Sequence, residues 1–392
     1  MQHLFGDLHV HIGRAGNNRI KITASKSLDL KSIIFSYAPR KGLGIVGVVD
    51  AGSTAVSAEI EELLEAGHLI EQEKGGLLAA NGILLITGCE VETSEGFHVI
   101  IYLPYMDSIR KLQKYLKTRV NNLVLSTQKV KATVVDLINL AAVLDGILCL
   151  AHAFTPHKGI YGFWTSNIKE KIGEDINHIG VLELGLSADT DMADMIEETR
   201  NFTFLTNSDA HSAANIGREY NQFRVQDKSF QELRYCFKKE HGRRVTANYG
   251  MDPLLGKYHR SYCLDCSTIT SEKPPVTWCH TCGSNNLVMG VYDRIALIRD
   301  FQEPHHPLDR PPYNYRVPLK DLPGVGPRAM EKLLNVFPNE IYVTENAPVK
   351  AIARITGNPV AQLIEGMRAG RLLISPGGGG RYGKVKKPNN YQ

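Results

Sequence analysis

Asp7-Leu8-His9-Val10-His11 ends the first apolar run of the chain, His3-Leu4-Phe5-Gly6, which reads as a strand. Residues two apart on a strand point to one side, so His9 and His11 present two imidazoles together at a strand end. Imidazole is the commonest side-chain metal ligand, and a pair at this spacing predicts a metal site. Asp7 is read as a turn cap or as a group that orients His9.

The pattern recurs along the chain. Ile45-Val46-Gly47-Val48-Val49-Asp50 and Val181-Leu182-Glu183 are apolar runs ending in an acid. Residues 83–90 end in Glu90, 146–152 in His152, and 202–211 in Asp209-Ala210-His211, while 97–103 begins beside His98. Residues 57–74, 106–119, 130–144 and 230–241 have helical periodicity. Strands alternating with helices imply βα units around a parallel sheet. In a closed βα barrel the C-terminal strand ends converge on one face. A buried salt-bridge network would need cations at these ends, and Lys and Arg are absent from them. Ligand type and placement therefore predict a metal cluster. Gly42 to Gly47 matches a dinucleotide fingerprint by letter, but it enters a strand instead of linking a strand to a helix.

At 392 residues the chain predicts two or three domains. Its 43% hydrophobic and 22% charged residues are those of a soluble globular protein. The best apolar stretch, 134–151, is interrupted by Asp136, Asn139 and Asp145, so no membrane span is expected. The N-terminus lacks a leader pattern, and the expected location is the cytoplasm.

Seven cysteines in such a chain suggest metal instead of disulfides. Cys263-Leu264-Asp265-Cys266 is followed twelve residues later by Cys279-His280-Thr281-Cys282, two hairpin-spaced pairs that predict a structural Zn²⁺ site. Cys89, Cys149 and Cys236 read as small core residues.

A Pro-rich linker, 304–318, precedes Leu322-Pro323-Gly324-Val325-Gly326-Pro327-Arg328, which with the helix to Leu334 resembles the helix-hairpin-helix DNA-binding hairpin. Gly324 and Gly326 would let backbone amides approach a phosphate without reading bases, with Arg328 beside them. Residues 353–368 read as a second, degenerate copy. Gly377 to Gly380 and Lys384-Val385-Lys386-Lys387 read as a flexible basic end. Residues 310–392 carry 13 Lys/Arg against 5 Asp/Glu, a net +8, and the rest carries 32 against 36, a net −4. A basic tail on an acidic body predicts a polyanion partner. The loop 13–27, with Arg14, Arg19, Lys21 and Lys26, is a further candidate for phosphate contact, and Ser27 or Asp29 caps the helix after it. The expected domains are a metal-dependent barrel (1–250), a four-cysteine module (251–308) and a basic helical domain (309–392).

Asp7-Leu8-His9-Val10-His11, Asp50, Glu90, His98, His152 and Ser208-Asp209-Ala210-His211 resemble the motifs of the PHP (polymerase and histidinol phosphatase) superfamily. The resemblance implies a distorted seven-stranded βα barrel that holds two or three metals and cleaves phosphoesters. One departure is Val49-Asp50-Ala51, where the superfamily's motif reads Thr-Asp-His. A barrel of this kind followed by a four-cysteine module and a helix-hairpin-helix tail resembles the endonuclease Q family over essentially the whole chain. That implies a DNA repair endonuclease nicking 5′ to uracil, hypoxanthine, xanthine and abasic sites. Double- and single-stranded DNA holding deaminated bases, and DNA repair or replication proteins, are the implied partners.

His9, His11, Glu90, His98, His152, Asp209 and His211 are the expected metal ligands for hydrolysis by metal-activated water. Asp209, Glu90, Asp50 and Glu183 are the expected catalytic acids, the last two as bridging or ligand-orienting groups. Zn²⁺ suits the imidazoles and Mg²⁺ or Mn²⁺ the carboxylates. Telling uracil from thymine calls for an extruded base, and Tyr161, Phe163 and Trp164, in the loop after His152, are the candidate pocket walls. The alternatives are a histidinol-phosphatase-like small-molecule phosphoesterase, which leaves the module and tail idle, and a non-catalytic DNA-binding scaffold, for which Ala51 argues slightly.

Overall fold

In the computed structural model, which describes residues 1–386, β1 (Gln2–Val10) starts the curled run of seven strands within a twelve-stranded mixed sheet. Next come β2 (Ile45–Val48), β3 (Leu84–Glu92), β4 (His98–Leu103), β5 (Ile147–Leu150), β6 (Val181–Glu183) and β7 (Thr203–Leu205), each paired with its predecessor. Beyond the exposed start of β1 the strands are largely apolar and buried on both sides, as a covered sheet requires. Helices α1 (Thr54–Glu65), α2 (Met106–Leu116) and α3 (Val134–Val143) cover the outside. The helical pattern read to residue 74 stops at Glu65, and Leu69–Glu71 then pairs with Leu77–Ala79 in a hairpin.

One strand departs from the parallel sheet expected. β4 runs antiparallel to both β3 and β5. Only residues 93–97 separate it from β3, too few for a parallel crossover, which takes about a dozen. The reversal is what brings His98, at the start of β4, to the end of the barrel where the other strands finish.

The seam between β7 and β1 is closed by one bridge, Val10 to Ala210. His11 N donates to Ala210 O at 3.0 Å and Ala210 N to His9 O at 3.2 Å. Below it, side chains replace the missing ladder. Asn207 Oδ1 accepts from Leu8 N (3.0 Å), and Asn248 Nδ2 donates to Phe204 O (3.0 Å). Asp7 belongs to this seam. Its carboxylate accepts from Ser208 N (3.1 Å) and Gly217 N (2.9 Å).

β8 (Tyr220–Val225) pairs antiparallel with the outer edge of β1, and β9 (Arg244–Gly250) with β8; α4 (Phe230–Lys238) joins them. The Pro-rich stretch is not a loose tether. It contributes β10 (Tyr313–Tyr315), parallel to β9. Arg310 within it donates two bonds to buried Asp194 (2.9 and 2.7 Å) and lies 3.6 Å over Phe204.

After the cysteine module and α5 (Val291–Ile298), the C-terminal helices α6 (Pro327–Leu334), α7 (Glu340–Glu345), α8 (Val349–Thr356) and α9 (Asn358–Arg368) share one apolar core. They dock on the barrel through Lys41 Nζ to Glu340 Oε2 (2.8 Å) and the Arg316 fork to Glu345 (2.7 and 2.7 Å). The glycine-rich end is ordered where its composition predicts flexibility. Gly377 N donates to Leu254 O (2.7 Å), and a Cβ on Gly379 would stand 2.6 Å from the Tyr262 ring, so the run is a packed strap. Lys387 lies outside the described residues. Among the described residues no helix is long and apolar enough to cross a membrane.

Glu219 is a buried acid of the barrel wall. Oε1 accepts from Met251 N at 2.7 Å, and Oε2 has no partner. Burial pushes its carboxyl from the ordinary 4.5 to about 8. The folded chain therefore keeps a proton between those values that the unfolded chain has released, and stability falls as pH rises through that window. Glu219→Gln, which stays neutral, should melt higher than the parent at pH 8–9, with the gap closing toward pH 4.5. Thermal melts across that range check it; a gap independent of pH would exclude a protonated Glu219.

Candidate active site

The barrel's strand ends gather the acids and imidazoles in one place. His9 and His11 turn their Nε2 atoms toward each other at 3.3 Å. Each Nε2 also approaches Glu90 (3.5 and 3.4 Å) and Asp209 (3.5 and 3.4 Å). On the far side of the rings, Glu183 meets His9 Nδ1 at 3.0 Å and Asp50 meets His11 Nδ1 at 3.0 Å. A carboxylate on Nδ1 fixes the tautomer and leaves the Nε2 lone pair pointing inward. Asp50 and Glu183 thus meet the Nδ1 sides of the two rings, away from the facing Nε2 atoms.

Glu90 is the centre. Oε1 meets His98 Nδ1 (3.1 Å) and His152 Nε2 (3.3 Å). Oε2 accepts from Lys21 Nζ (3.1 Å) and Thr127 Oγ1 (2.8 Å). Burial opposes its charge, but Lys21 and His98 outweigh burial and hold the carboxyl well below the usual range. Burial likewise opposes the charge of Asp209, which the His11 hydrogen bond and the imidazoles around it more than offset, holding the carboxyl well below the usual range. Burial pushes His211 down to about 4, so at neutral pH it is a free imidazole donor.

Three overlapping groups could each hold a cation: His9, His11 and Glu90; His11, Asp209 and His211; Glu90, His98 and His152. Within each, the ligand atoms lie within 4.8 Å of one another. The side chains fit metal better than they fit each other. Two Nε2 atoms with their Nδ1 atoms already held cannot satisfy one another fully, and His152 Nδ1 is buried with no partner. Mixed imidazole and carboxylate donors suit Zn²⁺ or Mn²⁺. His152 (φ 30°) and Asp209 (φ 44°) hold left-handed backbone conformations that cost non-glycine residues energy and cluster at functional sites. Ala51 is fully buried and presents only a methyl group at the corner where the superfamily motif carries an imidazole.

The cluster floors an open cavity of about 560 Å³. Its walls come from residues 155–158 and 185–187, and from Arg218, Lys257, Tyr258 and Tyr382. No local pattern announces these last four, which come from separate segments. Lys21, a candidate for phosphate contact beside the metal site, lines the cavity and donates to Glu90. Lys26 is exposed on the loop, and Arg19 braces that loop through Ile22 O and Ala24 O.

The aromatic residues after His152 do not line the cavity. Tyr161 is fully buried, stacks on Phe154 and donates to Glu198 (2.7 Å). Trp164 packs on Phe97, and Phe163 is 52% exposed. The loop instead seats the cysteine module, since Arg294 Nε of α5 donates to Tyr161 O at 2.8 Å.

Cys263 and Cys282 sulfurs lie 3.7 Å apart, and Cys266 and Cys279 sulfurs 3.5 Å. This is too long for disulfides at about 2.05 Å and close to the edge of about 3.8 Å of a tetrahedron with Zn–S of about 2.3 Å. In the helical domain Gly324 takes φ 89°, where a Cβ would meet Val360 at 3.0 Å. Gly326 caps α6, and Gly324, Gly326 and Arg328 are all exposed.

Residues 189–239 match the PHP-associated family model. The chain is 37% identical over 396 residues to the uncharacterized protein YqxK of Bacillus subtilis, covering 98% of this chain and 100% of the relative. Its structure is similar to that of the lesion-specific endonuclease PfuEndoQ from Pyrococcus furiosus, with TM-score 0.85, 33% identity, and 99% and 96% of the two chains covered. It is equally similar (TM-score 0.85, 33% identity, 99% and 97% covered) to endonuclease Q in complex with a 27-mer duplex substrate with an abasic lesion at the active site.

Proposed function

This chain belongs to the endonuclease Q family of the PHP superfamily, and from that we propose that it is a metal-dependent DNA repair endonuclease. It hydrolyses the phosphodiester 5′ to uracil, hypoxanthine or xanthine, and at abasic sites. The observation that carries this reading is the union of three cation-ready groups under one open cavity with an exposed glycine hairpin on the same chain. A small-molecule phosphoesterase would need neither the hairpin nor so wide a mouth.

His9, His11, Glu90, His98, His152, Asp209 and His211 would hold the cations. Bound cations lower the pKa of water and neutralise charge developing on phosphate. The chain's own work is placement. Glu183 and Asp50 keep His9 and His11 in one tautomer, Lys21 and Thr127 fix the Glu90 carboxylate, and the seam keeps Asp209 facing His11.

The cavity is of nucleotide size, and a damaged or mispaired base costs a few kcal/mol or less to extrude. Leu186 and Tyr258, on its wall, replace Tyr161, Phe163 and Trp164 as the candidates to hold the base. Tyr258→Ala should slow nicking of uracil duplex much more than of abasic duplex, where no base needs a wall; equal single-turnover losses would put the pocket elsewhere. Backbone amides at Gly324 and Gly326 take a phosphate at the start of α6. Arg328→Ala should weaken duplex binding uniformly across sequences and lower the salt slope by about one; an unchanged slope in a salt titration would remove Arg328 from the interface.

The deciding experiment incubates the purified chain, with Mg²⁺ or Mn²⁺, with end-labelled duplex holding one deoxyuridine or one abasic site. A nick on the 5′ side is expected. Phosphatase activity without nicking, or binding without turnover, would overturn the proposal.

A further inference from the structure

The C-terminal strap shapes the cavity mouth. Gly377, Gly383 and Gly380 donate to the carbonyls of Leu254, Leu255 and Lys257 at 2.7, 2.9 and 3.1 Å, laying the strap along the segment that leads into the cysteine module. Tyr382 is thereby carried to the cavity wall. Its hydroxyl accepts from Arg218 Nη1 at 3.1 Å. Its ring lies 5.8 Å from the Arg218 guanidinium carbon and 5.9 Å from Lys257 Nζ. One aromatic ring therefore faces two cations.

Arg218 is tied to the floor as well. Nε donates to Ser208 O at 2.7 Å, and Nη2 lies 3.5 Å from Asp209 O. A guanidinium has five N–H groups, so these contacts leave donors over. Among the described residues neither Arg218 nor Lys257 is in an ion pair, whereas Lys41, Arg310 and Arg316 are. Two cations sharing one ring without a carboxylate between them are poised for an anion.

We infer that Arg218 and Lys257 form a subsite for a backbone phosphate of the DNA strand beside the cleaved bond, and that Tyr382 is the positioning residue that gathers them. This rests on the chain acting on DNA. Arg supplies a planar fork to the phosphate and Lys a point charge. The Ser208 and Asp209 contacts join this subsite to the Asp209 loop, so holding the phosphate and holding the floor are one arrangement.

The test compares Lys257→Ala, Tyr382→Phe, Tyr382→Ala and the Lys257→Ala, Tyr382→Ala double variant with the parent on abasic duplex. Half-saturation and maximal rate are measured in single turnovers, with a thermal melt for each variant. Lys257→Ala and Tyr382→Ala should each raise half-saturation about tenfold. The double variant should be little worse than either single one, because both act through one contact. Tyr382→Phe keeps the ring and should fall between. Duplexes carrying a single methylphosphonate near the lesion identify the phosphate. One of them should weaken the parent about tenfold and Lys257→Ala hardly at all.

Unchanged half-saturation in Lys257→Ala, or no methylphosphonate that reproduces its defect, would overturn the inference. So would a Tyr382→Ala that melts lower yet binds as the parent does. If the parent nicks nothing, endonuclease function fails by itself. Duplex affinity without added metal, measured by fluorescence anisotropy on the same variants and duplexes, still decides the subsite.

Discussion

Glu90→Ala is expected to lower nicking by on the order of 10³-fold or more, an activation cost of several kcal/mol. Glu90 belongs to two of the three cation-ready groups, so one truncation removes a ligand from both. It also releases Lys21 and Thr127, which lose their shared acceptor. His98 and His152 lose the carboxylate between them, and Glu92, 3.8 Å from His98 Nε2, is already paired with Lys158. Glu183→Gln and Asp50→Asn, by contrast, leave every inward-facing ligand atom in place and loosen only the rings behind them. They should cost about 10–100-fold. Duplex affinity should survive all three, since the DNA contacts proposed above lie on the hairpin and the cavity wall. Nicking rates with anisotropy on the same samples check the ranking. Equal losses for Glu90→Ala and Glu183→Gln would mean that Glu183 is itself a ligand.

Cys279→Ser should remove one zinc per chain and open the module between residues 257 and 290. Apart from the strap and the bonds that Arg260, Ser261 and Val276 make to buried Asp293, little holds that region. Its buried apolar side chains are Cys263, Val276 and Cys279, a core too small to offset the entropy of ordering some thirty residues at roughly 1–2 kcal/mol each. A structural zinc contributes roughly 10–16 kcal/mol of apparent binding energy to such a fold. Without it, the support beside Lys257 and Tyr258 should loosen, and nicking should fall by at least about tenfold although the barrel ligands are intact. Elemental analysis, limited proteolysis and nicking rates track the three consequences. An unchanged zinc content would remove the four sulfurs from the metal-binding set.

Much of the barrel is readable from residue pattern because its strand ends advertise themselves. Apolar runs of four to eight residues that keep ending in acids and imidazoles rarely arise unless those ends meet at one site, and the structure brings His9, His11, Glu90, His98, His152, Asp209 and His211 together. The direction of β4 is not readable, since a period of two is the same in both directions. The aromatic run 161–164 misleads through its nearness in sequence to His152. The chain turns away there and buries Tyr161 behind the ligand. Arg218, Lys257, Tyr258 and Tyr382 come from three separate segments, and only the fold makes them neighbours. The glycines of the strap read as slack because a missing side chain signals freedom as readily as tight packing.

The cavity takes its floor from residues such as Glu90 and Asp209 and part of its wall from Tyr382. Chains are made from the N-terminus onward, and their domains fold largely in that order. The ligand-bearing strands are complete long before the strap exists. A chain broken off anywhere in its last domain would carry the whole acid and imidazole set and still have a gap at the mouth. The strap acts as a finishing stamp: the cavity is walled in full only on a molecule that has been made as far as Tyr382.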